Sequence, residues 1–355
     1  MTYQLGAHDP VNIYTEDVLR RFSTDLLHAL GASDEEAQIV TDGIMTASLW
    51  WHPGQGQGME KFFRYTRRVR KGGIIPGAKM TWVSEGAAFA LLDGAKGFGY
   101  VAAHRAMQRA VEKAAVMGVG IVGVRHSNHF GIAGYHAVQA TQQGLIGWAM
   151  TNSKAEMAPW GSAEVVLGTN PWGMAIPRAG GFPVVLDMAL TMSGKGMMKW
   201  YQRIGRLMPD NWALTPAGER TTDPASAIEG PLLPIGEYKG YGLSLITDVL
   251  TGVMTGSLFG RSVFQVDEDF DVGHLMLAIN PEMFLPRAEF QQRLEALIRE
   301  VKEAPPIDAE RPVMLPGEAE HQRMARRRQE GIPVSQETVA GLRDLAQQLN
   351  VPFPL

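Results

Sequence analysis

Apolar positions recur every three to four residues through the first 72 residues, then give way to short apolar runs from about residue 79. Val18, Leu19, Phe22, Leu26 and Leu30 fall on one helical face, and Gly31 follows as a stop. Ser33 with Glu36 three residues later forms a capping box for a second helix, which carries Ala37, Val40, Ile44 and Ala47 along one side. A third helix is predicted through 61–70, ending at Gly72 and Gly73 with Pro76 beyond. The runs at 88–92, 119–124, 146–151, 174–176 and 184–186 read as strands, with helices at 102–117 and 135–143 between some of them. A strongly apolar helix over 241–254 precedes a strand at 275–279. The tail returns to helix, with one stripe of Phe290, Leu294, Leu297, Ile298 and Val301 and another of Val339, Leu342, Leu345 and Leu349. The pattern predicts an α/β protein. Residues 79–282 form its α/β core, and 1–78 with 283–355 form one helical unit built from both chain ends.

Composition narrows the chemistry. The chain has 355 residues, enough for two domains or one large one with a sizeable core. A net charge of -4 provides no global basic field for nucleic acid. The one dense basic run, RMARRR at 323–328, reads as a solvated helix face. The absence of cysteine excludes disulfides, thiol nucleophiles, zinc–cysteine sites and iron–sulfur clusters together. The opening MTYQLGAHDPVNIYTED has no basic region followed by an apolar stretch, and no apolar run approaches the ~20 residues of a membrane span. A cytoplasmic protein with neither membrane nor nucleic acid as partner is expected.

Four segments have the residue types for a site. Arg125-His126-Ser127-Asn128-His129 follows a predicted strand, where active-site groups of α/β folds gather, and histidine exchanges protons near neutrality. The alternative is that the histidines only fasten the loop. His126 and His129 lack a nearby carboxylate to complete a metal site, so no metal is expected. Thr151-Asn152-Ser153-Lys154 ends another strand and suits a ribose, amide or carboxylate, or is simply a polar turn. Tyr238-Lys239-Gly240-Tyr241-Gly242 opens a helix, where free amides, the dipole and Lys239 would favour an anion; a solvated lysine at a glycine-rich helix entry is the alternative. Asp187 ends a strand and either accepts from a ribose or nicotinamide amide or caps the next segment. Gly118, Gly120 and Gly123 fit G-x-G-x-x-G, but they follow a helix and lie inside a β-like run, where helix amides cannot meet a pyrophosphate. There is no G-x-S-x-G elbow to support a hydrolase.

Taken in order, these segments and their flanks resemble the type-2 malate/L-lactate dehydrogenase family, which includes sulfolactate, ureidoglycolate and diketogulonate dehydrogenases or reductases and cyclic-imine reductases. The likeness covers nearly the whole chain. It runs through FFRYTRRVRKGGIIPGA (62–78), TNSKAEMAPWG (151–161), LGTNPWGMAIP (167–177), VLDMA (185–189), WALTPAGERTTDP (212–224), LLPIGEYKGYGLSLITDVLTG (232–252), DVGHLMLAINP (271–281) and LPGEAE (315–320). The resemblance implies a non-Rossmann nicotinamide-binding domain with a mixed, largely antiparallel sheet, and a homodimer with the site near the subunit interface. It implies NAD or NADP as cofactor and a small 2-oxo or 2-hydroxy acid, or a cyclic imine such as piperideine- or pyrroline-2-carboxylate, as substrate. His129 matches the proton-exchanging histidine. Ser153, Asp187, Met188, Ala189, Lys239, Gly317, Glu318 and Ala319 match cofactor-contacting positions. One departure stands out. Many members carry an N-terminal Ser-His-Gly before an L-P-R-Y helix, whereas this chain reads LWWHPGQGQG (49–58) and then Lys61-Phe-Phe-Arg-Tyr65. Gln55 or Gln57 takes the histidine's place, or His52 reaches in, with Lys61 or Arg64 as the cation for the substrate carboxylate. A family member that binds a nicotinamide without catalysis is the rival that this departure favours.

Overall fold

The computed structural model describes residues 11–51, 58–264 and 271–354. The opening strand β1 (Val11–Tyr14) leads into α1 (Glu16–Ala29), α2 (Asp34–Trp50) and α3 (Lys61–Arg70). The Ser33–Glu36 capping box at α2 is closed in both directions. Leu19, Phe22 and Leu26 of α1 and Ala37, Val40 and Ile44 of α2 are fully buried, as their spacing predicts.

Strands β2 (Thr81–Glu85) and β3 (Phe89–Asp93) are followed by α4 (Gly99–Met117) and β4 (Val119–Ser127); α5 (Ala133–Thr141) leads to β5 (Ile146–Thr151). A two-stranded ribbon of β6 (Ala155–Met157) and β7 (Leu167–Gly168) precedes β8 (Trp172–Ile176) and β9 (Val184–Met188). After α6 (Lys195–Arg203), α7 (Pro224–Glu229) and α8 (Tyr238–Asp248), β10 (Val272–Ile279) returns to the sheet. The seven strands lie in the order β2-β3-β4-β10-β5-β8-β9. Only β3 and β4 are parallel, joined through α4; every other neighbouring pair is antiparallel. The mixed, mostly antiparallel sheet expected from the resemblance is therefore present.

Small residues bring the helices α4 and α5 close to this sheet. Ala102, Ala103, Ala106, Ala110 and Ala114 of α4 are all fully buried. A Cβ on Gly120 of β4 would lie 2.0 Å from the Ala110 carbonyl oxygen, and one on Gly147 of β5 would lie 2.1 Å from that of Ala137. This accounts for the glycine triplet. Gly118 ends α4, Gly120 and Gly123 sit within β4, and none of the three opens a helix.

The two chain ends meet. β1 pairs antiparallel with β11 (Ile332–Ser335), α10 (Glu318–Glu330) packs on α2, and α11 (Gln336–Leu349) packs on α3 and α1. Val339, Leu342 and Leu345 of α11 are buried, but on α9 (Arg287–Glu303) only Ile298 is, so most of that stripe is not core. The basic run also departs from its expected role. Arg327 is buried and donates to the Ser48 and Trp51 carbonyls, and Arg323 donates to that of Trp50. These two guanidiniums satisfy the carbonyls at the end of α2, as a C-terminal cap requires; Arg326 and Arg328 remain solvated. The apolar helix expected at 241–254 begins earlier, at Tyr238, and its last turn widens into a π-helical stretch, Val249–Val253. Among the described residues no helix is long and apolar enough to cross a membrane.

Candidate active site

The loop that carries His129 is held from every side. β4 runs three residues beyond its predicted end, so Arg125, His126 and Ser127 belong to the strand. Asn128 is fully buried and its amide donates to the carbonyls of Gly73, Lys96 and Gly97. Gly99 of α4 lies directly against the loop: a Cβ there would stand 2.0 Å from the Asn128 carbonyl oxygen. The Phe130 ring is stacked between His136 of α5 and His274 of β10, 4.8 Å from each. His274 in turn joins Ser127 and Thr151, at 2.8 Å each. Burial pushes both His136 and His274 down to about 3, so they act as neutral, hydrogen-bonded packing groups. Gly131 closes the loop at φ 84°, a backbone that side chains rarely adopt.

His129 itself is half-buried. Its Nδ1 lies 2.9 Å from the Tyr65 hydroxyl and 3.3 Å from the Gly131 amide nitrogen. Lys61, Arg64, Tyr65 and Arg68 follow i, i+3, i+4, i+7 spacing on α3, which brings three cations to one stripe around that phenol. Burial, then Lys61, Arg68 and Arg64, hold the His129 imidazole well below its usual range. Lys61 is pushed down to about 7, chiefly by burial and next by Arg64. Among the described residues no hydrogen bond or ion pair engages Lys61, and Glu60 and Glu156 offset part of the effect of burial, Arg64 and Arg68 on it.

A contrasting environment is found on β9. The Asp187 carboxylate accepts from the Gly134 amide, 3.0 Å away, at the start of α5. A helix start should favour the charged carboxylate, but burial outweighs it and Glu320 adds to the shift, pushing Asp187 up to about 7. Val185 donates to the Pro316 carbonyl, and Gly317, at φ 85°, lies against Val185 and Phe182. The 315–320 segment is thus fastened to the strand that ends in Asp187, Met188 and Ala189. The Glu318 carboxylate is engaged by Lys302 and the Leu315 amide, and the Gly317 carbonyl and Glu318 amide bond His321 and Leu315.

Ser153, Lys239 and Ala189 are linked through their neighbours. The Ser153 hydroxyl accepts from the Thr169 amide, and its own amide donates to Asn170, which bonds Ser244 of α8. Leu190, next to Ala189, bonds Thr169 and Ile235, and Ile235 accepts from the Gly240 amide beside Lys239. Gly236 and Glu237 both have positive φ, 54° and 60°, at the entry to α8. No side chain caps that helix, but the Lys239, Gly240 and Tyr241 amides already donate to the carbonyls of Gly236, Ile235 and Glu237, while the Lys239 side chain is exposed. The exposed Lys239 ammonium is therefore the group that this entry presents to solvent.

Not every expected residue joins the site. Thr151 and Asn152 are buried fasteners, bonded to Gly273 and Leu258, so the polar-turn reading holds for them. His126 is occupied by Asp93, at 2.9 Å, and has φ 51°. Trp50 is core, edge-on to Phe182. His52, Gln55 and Gln57 lie outside the described residues. Tyr65, Arg68 and Asn170 were missed as site residues, although the helical spacing of Lys61 and Tyr65 carries the first of these.

The family model for malate/L-lactate dehydrogenase matches residues 14–343. The chain belongs to that family and is a nicotinamide-dependent dehydrogenase. It is 37% identical over 345 residues to a malate dehydrogenase of Pyrococcus abyssi, covering 95% of this chain and 94% of that protein. It is 36% identical to an L-sulfolactate dehydrogenase of Methanothermobacter thermautotrophicus, covering 92% and 94%. The fold matches the crystal structure of malate dehydrogenase from Entamoeba histolytica with a TM-score of 0.93 at 30% identity, covering 98% of this chain and all of the other.

Proposed function

We propose that this dehydrogenase interconverts a small 2-oxo acid and the corresponding 2-hydroxy acid, with NAD or NADP as cofactor and His129 as the group that exchanges a proton with the substrate oxygen. The observation that carries the reading is the partly exposed His129 ring beside Lys61, on a loop fixed by Asn128, Phe130 and Gly99. Lys61 or Arg64 pairs with the substrate carboxylate and sets its orientation. Bound nicotinamide supplies or accepts the hydride. Ser153 and the exposed Lys239 suit its phosphates and riboses. Asp187, Met188, Ala189 and the Gly317–Glu318–Ala319 segment suit its reactive end, in a non-Rossmann mode that does not use the Gly118 triplet. His52 and Gln57 remain substrate-contact candidates on sequence grounds alone.

The same reading includes a homodimer. Leu245, Ile246, Val249, Val253 and Phe259 are all exposed on or just beyond α8, an apolar strip that a second copy would cover. A sedimentation experiment showing only monomer at micromolar concentration would remove this part. The reaction is tested with a panel of 2-oxo acids and cyclic imines, each with NADH and NADPH, followed at the reduced-nicotinamide absorbance. Turnover of a 2-oxo acid is expected. Turnover of cyclic imines alone transfers the proton step to an imine nitrogen. Cofactor binding without oxidation across the panel leaves a non-catalytic binder instead.

A further inference from the structure

The two nitrogens of His129 differ, and the surroundings of one determine the state of the other. Nδ1 faces the Gly131 amide at 3.3 Å and the Tyr65 hydroxyl at 2.9 Å. An amide N–H only donates, so Nδ1 meets it with a lone pair. The neutral ring then carries its hydrogen on Nε2, and the Tyr65 hydroxyl must also donate to Nδ1. Tyr65 is 1% exposed and its ring stands edge-on to Tyr100 at 6.2 Å, so its direction is fixed by packing. Burial pushes Tyr65 up to about 12, which keeps its hydroxyl protonated at working pH.

This arrangement does not suit a simple imidazolium donor. Burial, and after it the positive charges of Lys61, Arg68 and Arg64 on α3, disfavour a charged ring. A neutral ring that gave up its Nε2 hydrogen unaided would be left as an imidazolate. Among the described residues, Tyr65 is the one group at Nδ1 with a transferable hydrogen. Resting on the reading of His129 above, we propose that Tyr65 is a positioning residue that holds His129 in the Nε2–H tautomer and replaces the proton it delivers. As hydride reaches C2, the Nε2–H bond breaks and an O–H bond forms on the substrate oxygen. At the same time the Tyr65 O–H bond breaks and an Nδ1–H bond forms. The negative charge that began on the substrate oxygen ends on the Tyr65 phenolate, beside the cations of α3. After product release, water protonates Nε2 and the Nδ1 hydrogen returns to the phenolate, restoring the starting state with a net proton from solvent. The reverse reaction follows the same bonds backwards.

The test compares Tyr65→Phe with the parent protein and with His129→Ala, on whichever acid the panel selects. Tyr65→Phe is expected to lower kcat at least tenfold, within the ~10²–10⁴ worth of acid–base help, while KM and cofactor affinity hold. Its kcat should also become pH-dependent, falling about tenfold per unit as pH rises, because the ring must now draw its proton from solvent as imidazolium. An unchanged kcat, or a lower kcat with the parent's pH profile, overturns the proposal. Should the variant fail to fold, ¹⁵N-histidine spectra of the parent decide: an Nδ1–H tautomer or an imidazolium for His129 at neutral pH overturns it equally. If His129→Ala keeps parental turnover, the underlying reading falls with it. If His129→Ala is inactive and Tyr65→Phe is normal, only the role of Tyr65 falls.

Discussion

His126 and His129 stand three residues apart on one strand and its loop, yet their surroundings have little in common. His126 is partly solvated, with its Nδ1 2.9 Å from the Asp93 carboxylate and its Nε2 4.0 Å from that of Asp271. Arg125 shares Asp93, and the backbone bends to φ 51° to make the cluster. Among the described residues no carboxylate bonds His129; a phenol and an amide address its Nδ1, and three cations lie beyond. The carboxylates of Asp93 and Asp271 tie the His126 ring into the cluster as a hydrogen-bonded fastener. Cations and burial favour a neutral imidazole at His129, which has a proton-bearing nitrogen to offer. The neighbours the fold delivers thus place the same residue type in the frame at one position and, on the proposed reading, in the chemistry at the other.

The largest test of this contrast is to remove each ring in turn. His129→Ala is expected to lower turnover by ~10²–10⁴ with little change in cofactor affinity. His126→Asn, which keeps a residue tolerant of positive φ, should leave turnover close to the parent value and show its cost in thermal stability instead. Comparable turnover losses in the two variants would erase the distinction.

A smaller effect reads the cation face. Lys61 binds an anion only as an ammonium, and burial brings its titration down to about 7. Its charged fraction therefore falls as pH rises through about 7, and kcat/KM for the acid should fall with it. Lys61→Arg, always charged, should flatten this decline, so that the variant-to-parent ratio of kcat/KM rises with pH. Lys61→Met should raise KM by roughly 10–10², the usual worth of a hydrogen bond to a charged group.

The β9 carboxylate predicts a shift in stability with a definite sign. Asp187 rises from 3.8 to about 7 on folding, so the native state holds this proton more tightly than the unfolded chain does. Stability is then lost as pH rises from 3.8 to about 7 and levels off above. Asp187→Asn has no such loss. Its Tm relative to the parent should climb across that window, and a constant offset would contradict the buried-carboxylate account.

Features whose causes are local were legible in the chain. The Ser33–Glu36 cap, the α1 and α11 stripes and the runs of β5 and β10 follow from spacing within about a dozen residues, and the motif order carried the family and mixed sheet. Features whose causes lie across the fold were not. β1 and β11 are four-residue partners from opposite ends, and Pro333 in β11 argues against a strand unless it lies in a small edge ribbon, as it does here. Arg327 reads as solvent-facing until the α2 carbonyls are seen to surround it. Tyr65 lies 64 residues from His129, and the motif that names it does not reveal what its hydroxyl meets.

The position of β10 has a consequence for how the chain matures. Residues 272–279 enter the middle of the sheet, between β4 and β5, which precede them by more than a hundred residues in sequence. While the ribosome is still making the intervening stretch, those two strands have no partner between them, and their open backbone edges invite mispairing. Completion of this sheet depends on a segment synthesised late, so this protein should assemble slowly and profit from chaperones that shield nascent strands.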